Sequence, residues 1–169
     1  MIGGIKLKGR IIGLARRAVS REPMEELRNC LVTPEIGVLG DCKGMRFPLR
    51  QLTILAREDW ADAMASLDCV MGPIDLHWTL RRANVFTEGV VLPKGVGSIL
   101  SVGSALVEVT EETTPCAQMD VAYPGLRRAL APNWRGGLTC KILAGGGISL
   151  GDRVEIIVQK AERRAYLPG

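Results

Sequence analysis

One of five cysteines, Cys116, stands in a setting suited to sulfur or metal-sulfur chemistry: Thr113-Thr114-Pro115-Cys116-Ala117-Gln118-Met119-Asp120. Pro115 fixes its own φ, lacks an N–H and biases Thr114 towards an extended conformation, so the thiol is expected at a stiff exit from a strand. Downstream come Arg127, Arg128 and the run Trp134-Arg135-Gly136-Gly137. A cation beside a cysteine favours the thiolate, which is both the nucleophile and the metal ligand. Arg82 and Asn84, two apart on a segment read as extended, are expected to share one face, where a guanidinium and an amide can hold a phosphate or carboxylate. Arg135 with Gly136 and Gly137 adds a second cation beside backbone N–H groups able to form an anion nest.

The other candidates are weaker. Cys140 alternates within an apolar run and reads as core, whereas Cys42, in a glycine-rich loop, is the one plausible second thiol. Cys30 and Cys69 have no such setting. His77 is the only histidine, which excludes a multi-histidine metal site or a histidine pair. Gly145-Gly146-Gly147 lacks the following Lys-Ser/Thr of a phosphate loop and is expected to form a hairpin turn.

The elements that must position these residues are mostly strands. Ile5 to Ala15, Arg50 to Leu55, Leu76 to Phe86, Ile99 to Val102, Ala105 to Glu111, Leu138 to Leu143 and Val154 to Val158 read as strands, with Gly103-Ser104 turning a hairpin. Arg57 to Ser66 places Trp60, Ala61, Met64 and Ala65 on one helical face, and Pro124 to Leu130 reads as a short helix. Met24 to Val32 fits either a helical turn or a short strand. The expected fold is therefore mainly β with a few short helices, closed in part as a strongly twisted barrel.

Composition bounds the function. Hydrophobic residues make up 47% of the 169 residues, enough for one domain that buries roughly 70% of its unfolded surface. An odd cysteine count without Cys-x-x-Cys spacing argues against a disulfide framework or a zinc ribbon and for a reducing, cytoplasmic setting. No apolar run nears 18 residues, so no membrane span or targeting segment is expected. The net charge of +4 admits nucleic acid, but aromatic residues at 4% are too few and scattered for base stacking, and a small anionic ligand suits the arginines better.

The motifs together resemble the MOSC domain, named for the C-terminal domain of molybdenum cofactor sulfurases. Arg82-Ala83-Asn84 matches that family's Arg-x-Asn element and Gly89 its following glycine; Pro115-Cys116, Arg135-Gly136-Gly137 and Gly151-Asp152 continue the series in order. The match is best over 80–158, within a single domain spanning 1–169, and it implies the barrel of the MOSC, pyruvate-kinase-barrel-like, type. It also implies Cys116 as the catalytic or metal-ligating residue, with Arg82, Asn84, Asp120, Arg135, Gly136 and Gly137 around an anionic cofactor.

Three functions follow from the resemblance. Cys116 carries sulfane sulfur as a persulfide, fed by a cysteine desulfurase or another sulfur donor; or it ligates molybdenum in a bound molybdopterin cofactor, and the protein reduces N-hydroxylated substrates with electrons from a separate electron-transfer protein; or the chain is a non-catalytic cofactor-binding module. The larger members carry a pyridoxal-phosphate desulfurase domain that is not expected here.

Overall fold

The computed structural model describes residues 6–162. Eleven strands and three helices follow one another: β1 (Lys8–Arg16), β2 (Glu25–Glu26), β3 (Asn29–Thr33), β4 (Gly37–Val38), β5 (Leu52–Ala56), α1 (Arg57–Met71), β6 (Val85–Glu88), β7 (Ile99–Val102), β8 (Ala105–Glu112), α2 (Ala117–Ala122), α3 (Leu126–Leu130), β9 (Leu138–Ala144), β10 (Gly146–Ser149) and β11 (Arg153–Val158). Strands pair in the order β11-β7-β8-β9-β5-β6-β1, and β1 pairs back on β11. The barrel is therefore closed, through Lys8 opposite Glu155 and Arg10 opposite Arg153. Closure leaves the seven strands no free edge, more than the partial closure expected from sequence.

Alternation builds two cores. In β8, Ala105, Val107 and Val109 point into the barrel and meet Ile54, Leu100, Val102, Cys140 and Val154. The neighbouring outward positions of β5 and β6, Leu55 and Phe86, instead join Trp60, Met64, Leu67, Leu126 and Leu130 beneath the helices. Among the described residues β5 and β6 are the one parallel pair, linked by a crossover through α1. Every residue of β5 is buried, as a strand covered on both faces must be.

The hairpin of β7 and β8, the helix α1 and the buried Cys140 match the expectations from sequence. The segment from Leu76 does not: Trp78–Arg81 is a 3-10 turn and extended pairing begins only at Val85. Packing overrides alternation here. Trp78 stacks on Phe86 at 4.9 Å and lies against Gly13, where a Cβ would come within 2.6 Å of the indole. The triple glycine is not a hairpin turn either. Gly146 and Gly147 pair with Val32 and Leu31 as strand β10 of a small sheet with β3 and β4. Glycine serves close approach there, since a Cβ on Gly145 would lie 2.6 Å from the Val32 carbonyl oxygen.

Asn84, expected on an anion, is spent on the fold. It is buried at 6% exposure; its Oδ1 accepts from the Thr53 N–H and hydroxyl, both at 3.0 Å, and its Nδ2 donates to the Ala15 carbonyl at 3.2 Å. One side chain thus ties β1, β5 and the start of β6 together. Removing it strands a buried amide and a buried carbonyl, each costing roughly 1–3 kcal/mol. Asn84→Ala is expected to lower unfolding stability by at least about 2 kcal/mol in urea titration. A change below about 0.5 kcal/mol would show that the clasp is dispensable.

Candidate functional site

Cys116 sits at one mouth of the barrel, where β8 has ended, as the exposed residue that opens α2. Pro115 before it is buried, so the stiff presentation expected from sequence is present. The loop carrying it is held from below by Arg81, a residue the sequence reading passed over in favour of Arg82. The Arg81 side chain is 7% exposed. Its Nε donates to the Gly136 carbonyl at 2.9 Å, its Nη2 to the Thr113 carbonyl at 2.6 Å, and its Nη1 reaches Met119 Sδ at 3.7 Å. Contacts to Thr113 and Met119 bracket Cys116 on both sides in sequence.

Burial pushes the Arg81 guanidinium down to about 10, opposed by attraction to Cys116, so it stays cationic at neutral pH. Arg82 is half-buried in the left-handed region, φ 65°, rather than extended, so it and Asn84 do not share a strand face. Burial depresses Arg82, Arg17 repels it and Cys116 attracts it. Two guanidinium groups therefore lie within electrostatic reach of this thiol.

Arg17, just past β1, completes the cationic cluster and was not singled out from sequence. Its side chain is 5% exposed, and among the described residues neither Nε nor Nη1 has a hydrogen-bond partner. Lys43 lies within its field: burial lowers that ammonium's pKa, and Arg17 and Arg81 lower it further against Asp41. Asp41 arranges the group through backbone. It accepts from the Arg17 N–H at 2.9 Å and the Lys43 N–H at 3.1 Å, while the Cys42 N–H donates to the Arg17 carbonyl at 2.8 Å. Asp41 is thus occupied by backbone amides, with the Asn84 Nδ2 a further donor at 3.5 Å. The Gly40-Asp41 pair was the available signal for this loop, and nothing local in the sequence marked Arg17.

The remaining candidates lie elsewhere or have structural work. Arg135 donates from Nη1 to Ser66 Oγ and the Ala129 carbonyl, both at 3.0 Å, joining α1 to α3. Arg127 and Arg128 border a cavity with Thr114, Pro115, Glu112 and Asp120. Asp120 accepts the Arg127 N–H at 3.1 Å, and its carboxylate would repel an anion. Gly136 and Gly137 form no nest: Gly136 lends its carbonyl to Arg81, and the Gly137 N–H is used on the Trp134 carbonyl. Gly137 has φ 91°, and a Cβ there would meet the Ile54 carbonyl at 2.2 Å. Gly89 also has positive φ, 81°.

Among the described residues no three His, Cys, Asp or Glu side chains gather as a metal-ligand set. A metal at this mouth would have to bring most of its ligands with it. No helix among these residues is long and apolar enough to cross a membrane.

A closed barrel with a cysteine loop at its mouth defines the class, and the family model described as the MOSC domain matches residues 20–155. The chain belongs to the MOSC domain family. It is similar to the crystal structure of the YuaD protein from Bacillus subtilis, with TM-score 0.73 at 19% identity over 90% of this chain and 97% of that one. It is also similar to YiiM from Escherichia coli, with TM-score 0.65 at 18% identity over 89% and 71%, and to YiiM from Geobacillus stearothermophilus, with TM-score 0.60 at 15% identity over 90% and 74%. At such identities the likeness carries the fold alone. No curated protein sequence matches the chain.

The other thiols differ from Cys116 in setting. Burial raises Cys30 to about 11 and raises Cys140 further still, and Cys69 is exposed on α1. Limiting alkylation at pH 7 is expected to modify the exposed Cys116 first, ahead of the buried Cys30 and Cys140 and of Cys42 and Cys69. Faster labelling of Cys42 or Cys69, read by peptide mass spectrometry, would remove Cys116 as the reactive sulfur.

Proposed function

We propose that this chain binds a phosphate-bearing cofactor of the molybdopterin class, with Arg17, Lys43 and Arg82 facing its anionic part and Cys116 supplying a sulfur ligand. The observation that carries this is Arg17. A buried guanidinium with two unpartnered nitrogens is costly, because desolvation removes its water without returning hydrogen bonds. An anion at that position returns both the charge and the acceptors. The ligand set fits as well: thiolate is a soft donor suited to such a metal, and a pterin dithiolene brings the sulfur ligands that the protein lacks.

When bound, the molybdenum cofactor supplies two-electron metal chemistry. The residues of this chain bind and orient: Arg17 and Lys43 hold negative charge, Arg81 fixes the Cys116 loop, and Arg82 bridges the two regions electrostatically. The associated reaction is reduction of an N-hydroxylated substrate. Its N–O bond breaks, two electrons and two protons enter, and water leaves. The electrons come from a separate electron-transfer protein. Five unpaired cysteines suit a cytoplasmic setting for this chemistry.

A second reading rests on the exposure of Cys116, which leaves its sulfur open to a protein donor such as a cysteine desulfurase. Its thiolate attacks the terminal sulfur of the donor persulfide; that S–S bond breaks, a new one forms on Cys116, and the donor leaves as thiolate. Serine cannot replace it at neutral pH.

Isolation from a host that makes the cofactor is expected to give stoichiometric molybdenum with a pterin. Arg17→Gln and Arg82→Ala should each lower pterin affinity about 10- to 150-fold, the equivalent of one charge-assisted bond of roughly 1.5–3 kcal/mol. Inorganic phosphate should raise the melting temperature of the wild type but not of Arg17→Gln. Metal-free protein with a one-sulfur mass increment on the Cys116 peptide, lost in Cys116→Ser, would overturn the cofactor reading and establish the carrier. Absence of both, with phosphate without effect, would leave a module that binds neither.

A further inference from the structure

The helices α1 and α3 enclose a groove of about 610 Å³. That is within the range of roughly 300–1,000 Å³ typical of small-molecule sites. Leu67, Pro124, Ala129 and Pro132 give it an apolar floor and sides, and Arg128 and Arg135 stand among its lining residues. None of the groove's residues belongs to the cluster around Cys116. At one wall Gly125, at φ 89°, starts α3 close against α1: a Cβ there would lie 3.2 Å from Leu67 Cδ2.

The two arginines are prepared differently. Arg135 is anchored through Nη1 to Ser66 Oγ and the Ala129 carbonyl, so its guanidinium is fixed at the wall while Nε and Nη2 have no protein acceptor among the described residues. Arg128 is exposed, and among the described residues it has neither an ion-pair partner nor a side-chain hydrogen bond. It also borders the neighbouring cavity with Glu112 and Asp120, yet no carboxylate lies within ion-pairing distance of it there. The groove itself is lined by no acidic residue.

We infer that this groove is a ligand site for a small amphiphilic anion, a carboxylate or sulfonate head on an apolar body. The head meets the fixed fork of Arg135 and the mobile guanidinium of Arg128. The body covers Leu67, Ala129 and the two prolines. Charge decides the class: an uncharged apolar molecule would leave Arg128 and the free edge of Arg135 partly desolvated without a partner, whereas an anion converts that cost into charge-assisted bonds. The inference stands independently of the cofactor reading, since no residue is shared.

The test is fluorescence titration with 1-anilinonaphthalene-8-sulfonate at near-physiological salt. Saturable, one-site binding is expected, displaced by octanoate and not by octan-1-ol at equal concentration. Arg128→Gln should weaken it at least about tenfold with an unchanged melting temperature, because Arg128 makes no intramolecular bond. Ser66→Trp, which fills the groove from exposed α1, should abolish it, and Cys116→Ser should leave it unchanged. Non-saturable binding, equal displacement by the alcohol, or full binding in both groove variants would overturn the inference. So would dimerisation in sedimentation that competes with the dye, which would make the groove a contact between copies of the chain.

Discussion

The candidate site depends on one buried cation. Arg81 fixes the shape of the barrel mouth because its guanidinium has nowhere else to donate: two carbonyls and a thioether occupy it at 2.9, 2.6 and 3.7 Å. A charge so far removed from water is tolerable only with such partners, and the same need locks those partners in place. Thr113 directly follows β8, Gly136 lies just before β9, and Met119 is in α2, so one side chain joins the barrel to the cysteine loop. Gly136 must be glycine for this to happen. A Cβ there would lie 2.5 Å from the Thr113 carbonyl and 3.0 Å from Arg81 Nη2.

The barrel makes such burial affordable. Seven strands closed on themselves give a stiff ring, and its core of Leu52, Ile54, Val85, Leu100, Val107, Val109 and Leu138 supplies the stabilisation that costly polar groups at the mouth draw down. Arg17 illustrates the trade. Its backbone N–H and carbonyl are fully used, on Asp41 and Cys42, while its side chain carries two unpartnered nitrogens. Strained or unsatisfied groups persist where the surrounding structure over-determines them, and they concentrate where ligands bind.

Much of the fold was legible in the sequence because barrel strands alternate. Ala105, Val107 and Val109 announce a half-buried strand, and Gly103-Ser104 its hairpin. The errors fall where tertiary packing overrides local pattern. Leu76 to Phe86 alternates well enough for a strand, but Trp78 finds Phe86 and the bare backbone of Gly13, and the chain turns instead. Gly145 to Gly147 looks like a turn, yet its lack of side chains serves close approach of β10 to β3 and to Ser104. The motif singled out Cys116 and Arg82 but not how their neighbours are used: the Asn84 amide went to the fold and the Arg81 guanidinium to the cysteine loop. Adjacent residues point different ways once Arg82 adopts φ 65°, and no spacing rule foretells that. Arg17 was invisible for a plainer reason, since a buried arginine among five basic residues near the start of the chain looks like surface charge.

The charges around Cys116 and those of the α1–α3 groove obey opposite logics, and the contrast bears on what each binds. Arg17 and Arg81 repel Lys43, Arg82 repels Arg81 and Arg17 repels Arg82, and burial lowers the pKa of Lys43, Arg81 and Arg82, so the cluster is held against electrostatic cost by the barrel. Such a cluster suits a ligand of high charge density whose arrival relieves several repulsions together, as a phosphate does. Arg128 and Arg135 border solvent and apolar surface and carry no comparable strain, so a single negative charge saturates them and the affinity must come mainly from covering Leu67, Ala129 and the prolines. Ionic strength separates the two: exposed charges are screened over about 8 Å at physiological salt, while buried pairs are screened far less. Salt therefore screens the exposed Arg128 in the groove more than the buried Arg17 and Arg81 at the cysteine mouth.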